Sequence, residues 1–156
     1  MIRNMTQIKQ KQPSKTAQAR STRLVAVQTL YGVLHTGEDI KEAVADVLAR
    51  ADTLEVHGEP LVKPNGALLQ NILYGVNDRK KELQGIISAN ISISRGDTEM
   101  LLQAILLCAS FELMAHHDIE IGIIINDYLD IAHGFYEPAQ VKLVNGVLDS
   151  VSKVIR

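Results

Sequence analysis

Six cations and no acid occupy the first 37 residues: Arg3, Lys9, Lys11, Lys15, Arg20 and Arg23. The other 119 residues hold 10 basic and 18 acidic groups, so a cationic arm precedes an acidic body. Clustered Lys and Arg release counterions from phosphates, which makes nucleic-acid binding the first chemistry to consider. A solvated tail is the equally simple reading of charge alone. Phe135-Tyr136 fall in a turn near the chain's end. Aromatic rings beside a basic surface can stack on unpaired bases, worth about 1–3 kcal/mol per base.

Catalytic and metal chemistry find little support. Glu112 and His116 share a helix face and are followed by His117-Asp118. A third convincing ligand and the paired Glu-x-x-His motifs of di-iron bundles are missing, and a helix C-terminus favours His without any metal. Cys108 lies in an apolar run and reads as core. As the chain's single cysteine it excludes an internal disulfide. Asp127 and Asp130 read as solvated face positions, and no phosphate-cradling Gly-rich loop or Ser-His-Asp order is present. No cofactor and no enzymatic activity are expected.

These residues need elements to position them. Residues 1–13 are polar and end at Pro13, which predicts a flexible basic arm before a single helical domain over 14–156. Ser14 or Thr16 caps a first helix with an apolar stripe at Leu24, Val27, Tyr31 and Leu34, ended by Gly37. Arg20 and Arg23 extend that stripe towards the helix N-terminus. Unpaired guanidinium groups do not enter a core, so the first turn is predicted to overhang the bundle with both at its rim, unless a body acid pairs them.

Ile40, Val44, Val47, Leu48 and Ala51 make a second stripe, opened by Glu38 and Asp39. The longest interior loop is 52–66. Leu69, Ile72, Val76, Leu83 and Ile86 fit one long helix or two end to end, bending near 75–78. Asp97 is the expected cap of a helix carrying Leu102, Ile105, Leu106, Ala109 and Leu113. Two more follow, one through Ile121, Ile125, Tyr128 and Leu129, the last through Val141, Val144, Leu148 and Val151. Asn126 and Asn145 interrupt these apolar patterns. A buried amide without a partner costs roughly 1–3 kcal/mol, so both are predicted to be buried and hydrogen-bonded, and Gly146 is grouped with them as structural. The fold expected is an all-α bundle of six or seven helices.

Four segments in order resemble the NusB family of transcription antitermination factors, over roughly four-fifths of the chain. They are Arg23-Leu24-Val25-Ala26-Val27-Gln28-Thr29-Leu30-Tyr31, Leu68 to Val76, Phe111-Glu112-Leu113 leading into Ile125-Asn126-Asp127, and Leu143-Val144-Asn145-Gly146-Val147-Leu148-Asp149. The resemblance implies a compact NusB-like fold that binds single-stranded boxA RNA of ribosomal RNA operon leaders. The implied partners are NusE, a ribosomal small-subunit protein, and the RNA polymerase antitermination complex. It also assigns Arg20 and Arg23 to RNA, with Lys15, Lys11 and Lys9 as a looser extension, and Lys142 falls at a lysine of the family pattern; Tyr136 joins the candidates from its place in the turn, not from the family. Tyr136 stands where the family commonly has a smaller residue, which makes it the ring expected to be exposed, while Phe135 packs back. The chain departs from the family at Leu107, Gly122 and His133, where basic residues are usual.

Two alternatives carry different functions. One is an RNA-presenting domain related to those of ribosomal RNA cytosine methyltransferases; the other is a helical protein-interaction module that has lost RNA binding. No apolar run approaches the roughly 20 residues of a membrane span, and Met1 to Met5 lead into no apolar segment, so a cytoplasmic protein with no membrane partner is expected.

Overall fold

Caps written into the sequence set several helix boundaries in the computed structural model, which describes residues 13–56, 58–91 and 99–156. The Ser14 hydroxyl accepts from the Ala17 N–H at 3.0 Å and opens α1, Lys15–Thr36. Gly37 closes it at φ 76°, donating to the Val33 carbonyl, a left-handed cap that glycine adopts without a Cβ penalty. The Asp39 carboxylate accepts from the N–H groups of Lys41 and Glu42 and opens α2, Ile40–Ala49. Asn65 does the same for Leu68 and starts α3, Gly66–Asp78. The chain breaks at Arg79 and resumes as α4, Lys80–Ala89, so the long apolar pattern is two helices end to end. The Asp97 cap and the cations Arg3, Lys9 and Lys11 lie outside the described residues.

Three helices complete the bundle: α5 (Met100–Ala115), α6 (Ile121–Phe135) and α7 (Pro138–Ile155). The β-branched run at Ile121 is helical, in register with Tyr128. Among the described residues the only strands are two-residue pieces in the long loop. There β1 (Glu55–Val56) pairs antiparallel with β2 (Glu59–Pro60). The architecture is thus all-α, with seven α-helices among the described residues.

At its centre lies α5, where every residue from Ala104 through Leu113 is buried. Such a helix needs neighbours on all sides, and α1, α3, α4, α6 and α7 all pack against it. Leu107 is 1% exposed, so its departure from a basic residue belongs to the core and removes no surface cation.

On α1 the observed buried face runs through Arg23, Val27 and Leu30. The expected stripe is rotated accordingly: Leu24 and Leu34 are half-buried and Tyr31 is exposed. The polar side of α1 also holds the long loop. Gln18 donates to the Lys63 carbonyl at 3.2 Å, Ser21 to that of Val62, and Thr22 accepts from the Asn65 N–H at 2.9 Å.

At the other end of the molecule, Arg156 donates to the carbonyls of Leu113, His116 and Ile119. One guanidinium thereby satisfies a helix end that would otherwise leave acceptors unpaired, and ties α7 to the α5–α6 turn.

Gly75 of α3 lies against α5, where an added Cβ would fall within 3.0 Å of three ring atoms of Phe111. Phe111 is itself buried and cannot swing away freely. Helix propensity alone favours Ala over Gly by about 1 kcal/mol. Overpacking reverses that sign, so Gly75→Ala is expected to destabilise by roughly 1–3 kcal/mol, seen as a lower urea midpoint.

Candidate nucleic-acid interface and the charged network beneath it

Arg23 is where the sequence reading must be corrected first. It is 2% exposed, not at the rim, because two acids from other helices meet it inside the bundle. Its Nε and Nη2 donate to Glu112 Oε2 and Oε1 at 2.7 and 2.9 Å, a bidentate pair, and its Nη1 donates to Asp127 Oδ2 at 2.8 Å. Glu112 belongs to α5 and Asp127 to α6, so one guanidinium joins three helices. Asp127, expected on a solvated face, is only 6% exposed for the same reason.

Glu112 is fully buried, and all four lone-pair sites of its carboxylate are used. Besides Arg23, the Tyr128 hydroxyl donates to Oε2 at 2.5 Å and His116 Nδ1 donates to Oε1 at 2.9 Å. His116 Nε2 pairs in turn with the side-chain amide of Asn71 on α3 at 2.6 Å. The shared face of Glu112 and His116 thus serves a hydrogen-bonded network around Glu112.

Burial alone would raise the Glu112 pKa. The hydrogen bonds from His116 and Arg23, the Arg23 charge and the Tyr128 hydroxyl outweigh it and bring the value down to about 2. Burial likewise opposes the Arg23 cation, but Glu112 and Asp127 override it and hold the guanidinium charged, above the usual Arg range. Tyr128 is pushed well up by burial and by the Glu112 charge, so it stays a donor. Burial also raises the Cys108 thiol, as a core cysteine requires.

Above this network the surface cations remain. Arg20 is exposed, its side chain 62% so, and its Nε donates to Asp127 Oδ1 at 3.3 Å. Asp127 therefore holds a buried cation with one oxygen and steadies a surface cation with the other. Lys15 is exposed at the start of α1, and Lys142 is exposed on α7. Arg20 and Lys142 lie on different helices, and Lys142 has no hydrogen bond or ion pair among the described residues.

The two rings exchange their expected roles. Phe135 is 47% exposed, whereas the Tyr136 hydroxyl donates to Glu99 Oε1 at 2.5 Å and its ring packs against the core. Burial and the Glu99 bond raise the Tyr136 pKa. The phenol finds an acceptor across the turn at the entry to α5, which Phe135 cannot use, so Tyr136 turns in.

Asn126 and Asn145 are both exposed, as is Gly146. The neighbouring positions, Ile125 and Asp127 in α6 and Val144 and Val147 in α7, face inward, so the amides fall on the solvent side. The buried-amide argument does not apply to either.

Sequence reasoning missed Glu112 as the hub, although a signal for it exists. It is the only Asp, Glu, Lys or Arg from Met100 to Ala115, in a helix apolar on every side. A lone acid in such a helix is buried, and a buried acid demands a cation.

Removing one partner of a buried ion pair leaves the others uncompensated. Arg23→Met is therefore expected to cost roughly 3–5 kcal/mol in urea unfolding. The pH dependence has a definite sign. Glu112 is held at about 2 against an ordinary 4.5, so its stabilisation is complete above pH 4.5 and is lost as pH falls through about 2. The stability gap between the parent and Glu112→Gln should narrow across that window, read from urea midpoints at several pH values.

The comparisons with known proteins follow the same lines. The sequence model of the NusB family matches residues 20–153. The transcription antitermination proteins NusB of Allorhizobium ampelinum and Sinorhizobium fredii are each 34% identical over 157 residues, covering 97% of this chain and 97% of theirs. T. maritima NusB shares the fold at a TM-score of 0.72 and 19% identity, over 92% of this chain and 93% of that one. Among the described residues no helix is long and apolar enough to cross a membrane. With its full-length relatives, its matched family model and its helical fold in agreement, the chain belongs to the NusB family.

Proposed function

We propose that this protein is a transcription antitermination factor of the cytoplasm, without enzymatic activity. It binds single-stranded, boxA-like RNA of ribosomal RNA operon leaders together with NusE, as part of an RNA polymerase antitermination complex. The observation that carries the RNA reading is Arg20. It is a largely exposed guanidinium on α1, steadied from below by Asp127, on the helix that begins with exposed Lys15 in a family of antitermination proteins. Phosphate is held by these cations, and unpaired bases are read at their edges or stacked.

Gly122 and His133 are exposed where the family pattern has basic residues, so the body offers fewer phosphate contacts. RNA held by this chain alone is therefore weak, and a basic partner such as NusE strengthens it. That coupling is reciprocal, and RNA tightens NusE binding by the same factor.

The test is fluorescence anisotropy with boxA-like RNA at several salt concentrations, with and without NusE. Arg23 is left intact because it belongs to the core. Lys15→Glu with Arg20→Glu should preserve the circular dichroism spectrum and lower affinity. The slope of log affinity against log salt should shrink by roughly 0.7 per lost phosphate contact. Absence of salt-dependent binding in the parent, with or without NusE, would refute the proposal.

A further inference from the structure

Between α1 and α6 lies a groove of about 250 Å³ whose lining falls into chemically distinct parts. Half-buried Leu24 and buried Ile131 supply apolar surface, and Phe135 lines the groove while 47% exposed. Asp130 and Gln28, both exposed, face the same space, and neither has a hydrogen bond or ion pair among the described residues. Arg20 lines it too. Its only bond among the described residues is from Nε to Asp127, which leaves both terminal nitrogens without a partner there and open to an anion.

Each part restricts what can bind. Phe135 takes a flat ring. An ionised carboxylate only accepts, so whatever meets Asp130 must bring N–H or O–H donors. Arg20 takes a phosphate or carboxylate. A nucleotide in single-stranded RNA meets all three demands at once: its base stacks, its edge donates and its phosphate is anionic.

The carboxylate then chooses among the bases. Guanine sets two donors, N1–H and the N2 amino group, side by side on its Watson–Crick edge, matching the two oxygens of Asp130. Its neighbouring O6 accepts from a side-chain amide such as Gln28. Adenine and cytosine place a ring acceptor next to their single amino group, and uracil flanks its N3–H with two carbonyls. In each of these a lone pair would face the carboxylate.

We propose that the α1–α6 groove is a guanine-reading pocket for single-stranded RNA. Asp130 accepts from N1–H and N2–H, Gln28 donates to O6, Phe135 stacks on the base and Arg20 holds the adjoining phosphate. This assignment rests on the RNA-binding reading above and adds base selectivity to it.

The experiment compares oligouridines carrying one central guanosine, inosine, adenosine or cytidine, with anisotropy as the readout and a boxA-like RNA as the positive control. Inosine keeps N1–H and O6 but lacks the N2 amino group. Guanosine should bind roughly tenfold more tightly than inosine, in the range of one good bidentate base contact. Asp130→Asn should collapse that ratio, whatever it does to overall affinity, and Phe135→Ala should weaken every oligonucleotide; circular dichroism reports the fold of each variant. If RNA binds with equal affinity for guanosine and inosine, or if the preference survives in Asp130→Asn, the pocket assignment is overturned while RNA binding stands. Capture of a lysine-rich peptide in the groove in place of RNA, lost in Asp130→Asn, would also overturn it, in favour of a protein ligand. If neither these oligonucleotides nor the boxA-like RNA binds at any salt concentration, the RNA-binding reading itself fails and takes the pocket with it.

Discussion

One guanidinium organises the bundle. Arg23 enters the interior from α1 and meets a glutamate from α5 and an aspartate from α6, and its three donor–acceptor distances to them lie between 2.7 and 2.9 Å. Taking such charges out of water costs several kcal/mol per ion, and good geometry does little more than offset that. What the arrangement enforces is register. A turn's slip of α1 against α5 or α6 would strand at least one charge in a dry core, whereas an apolar contact at the same place would tolerate it. Tyr128 and His116 fill the remaining sites on Glu112, so the network closes with no acceptor left on that carboxylate.

The same network reaches the surface through Asp127. Its two oxygens serve Arg23 below and Arg20 above, which links a core constraint to the orientation of an exposed cation. Surface ion pairs contribute little to stability, and this one matters for a different reason. A long flexible side chain pinned at its Nε keeps its terminal nitrogens free and aimed, so less freedom is lost when an anion arrives. The two arginines of α1 are thus divided between a buried, fold-bearing Arg23 and an exposed Arg20.

The groove beside Arg20 follows from that geometry. With Asp127 turned in to the network, the carboxylate left for solvent on this part of α6 is Asp130, one turn on and without a partner among the described residues. Tyr136 turns in towards Glu99, and Phe135 is the ring that remains at the groove. An apolar lining, a free acceptor, a free amide and a half-engaged cation therefore converge through packing decisions made elsewhere.

Much of the fold was legible in the residues themselves, because caps and periodicity are local. Ser14, Asp39 and Gly37 bound their helices as expected, the break after Asp78 divides the long apolar pattern, and the family resemblance is written in contiguous segments. Burial of particular polar side chains was not legible, since it depends on partners far along the chain. Arg23 meets Glu112 and Asp127 across 89 and 104 residues, and without those acids an arginine on that face belongs at the rim. Asn126 and Asn145 failed for the converse reason: an amide among apolar neighbours still faces water when the helix turns its other side to the core. The sequence by itself determined an all-α bundle of six or seven amphipathic or apolar helices and where several of them begin and end. Only the tertiary structure decided which charges pair, because a charge's place is set by the field of its neighbours in space and not along the chain.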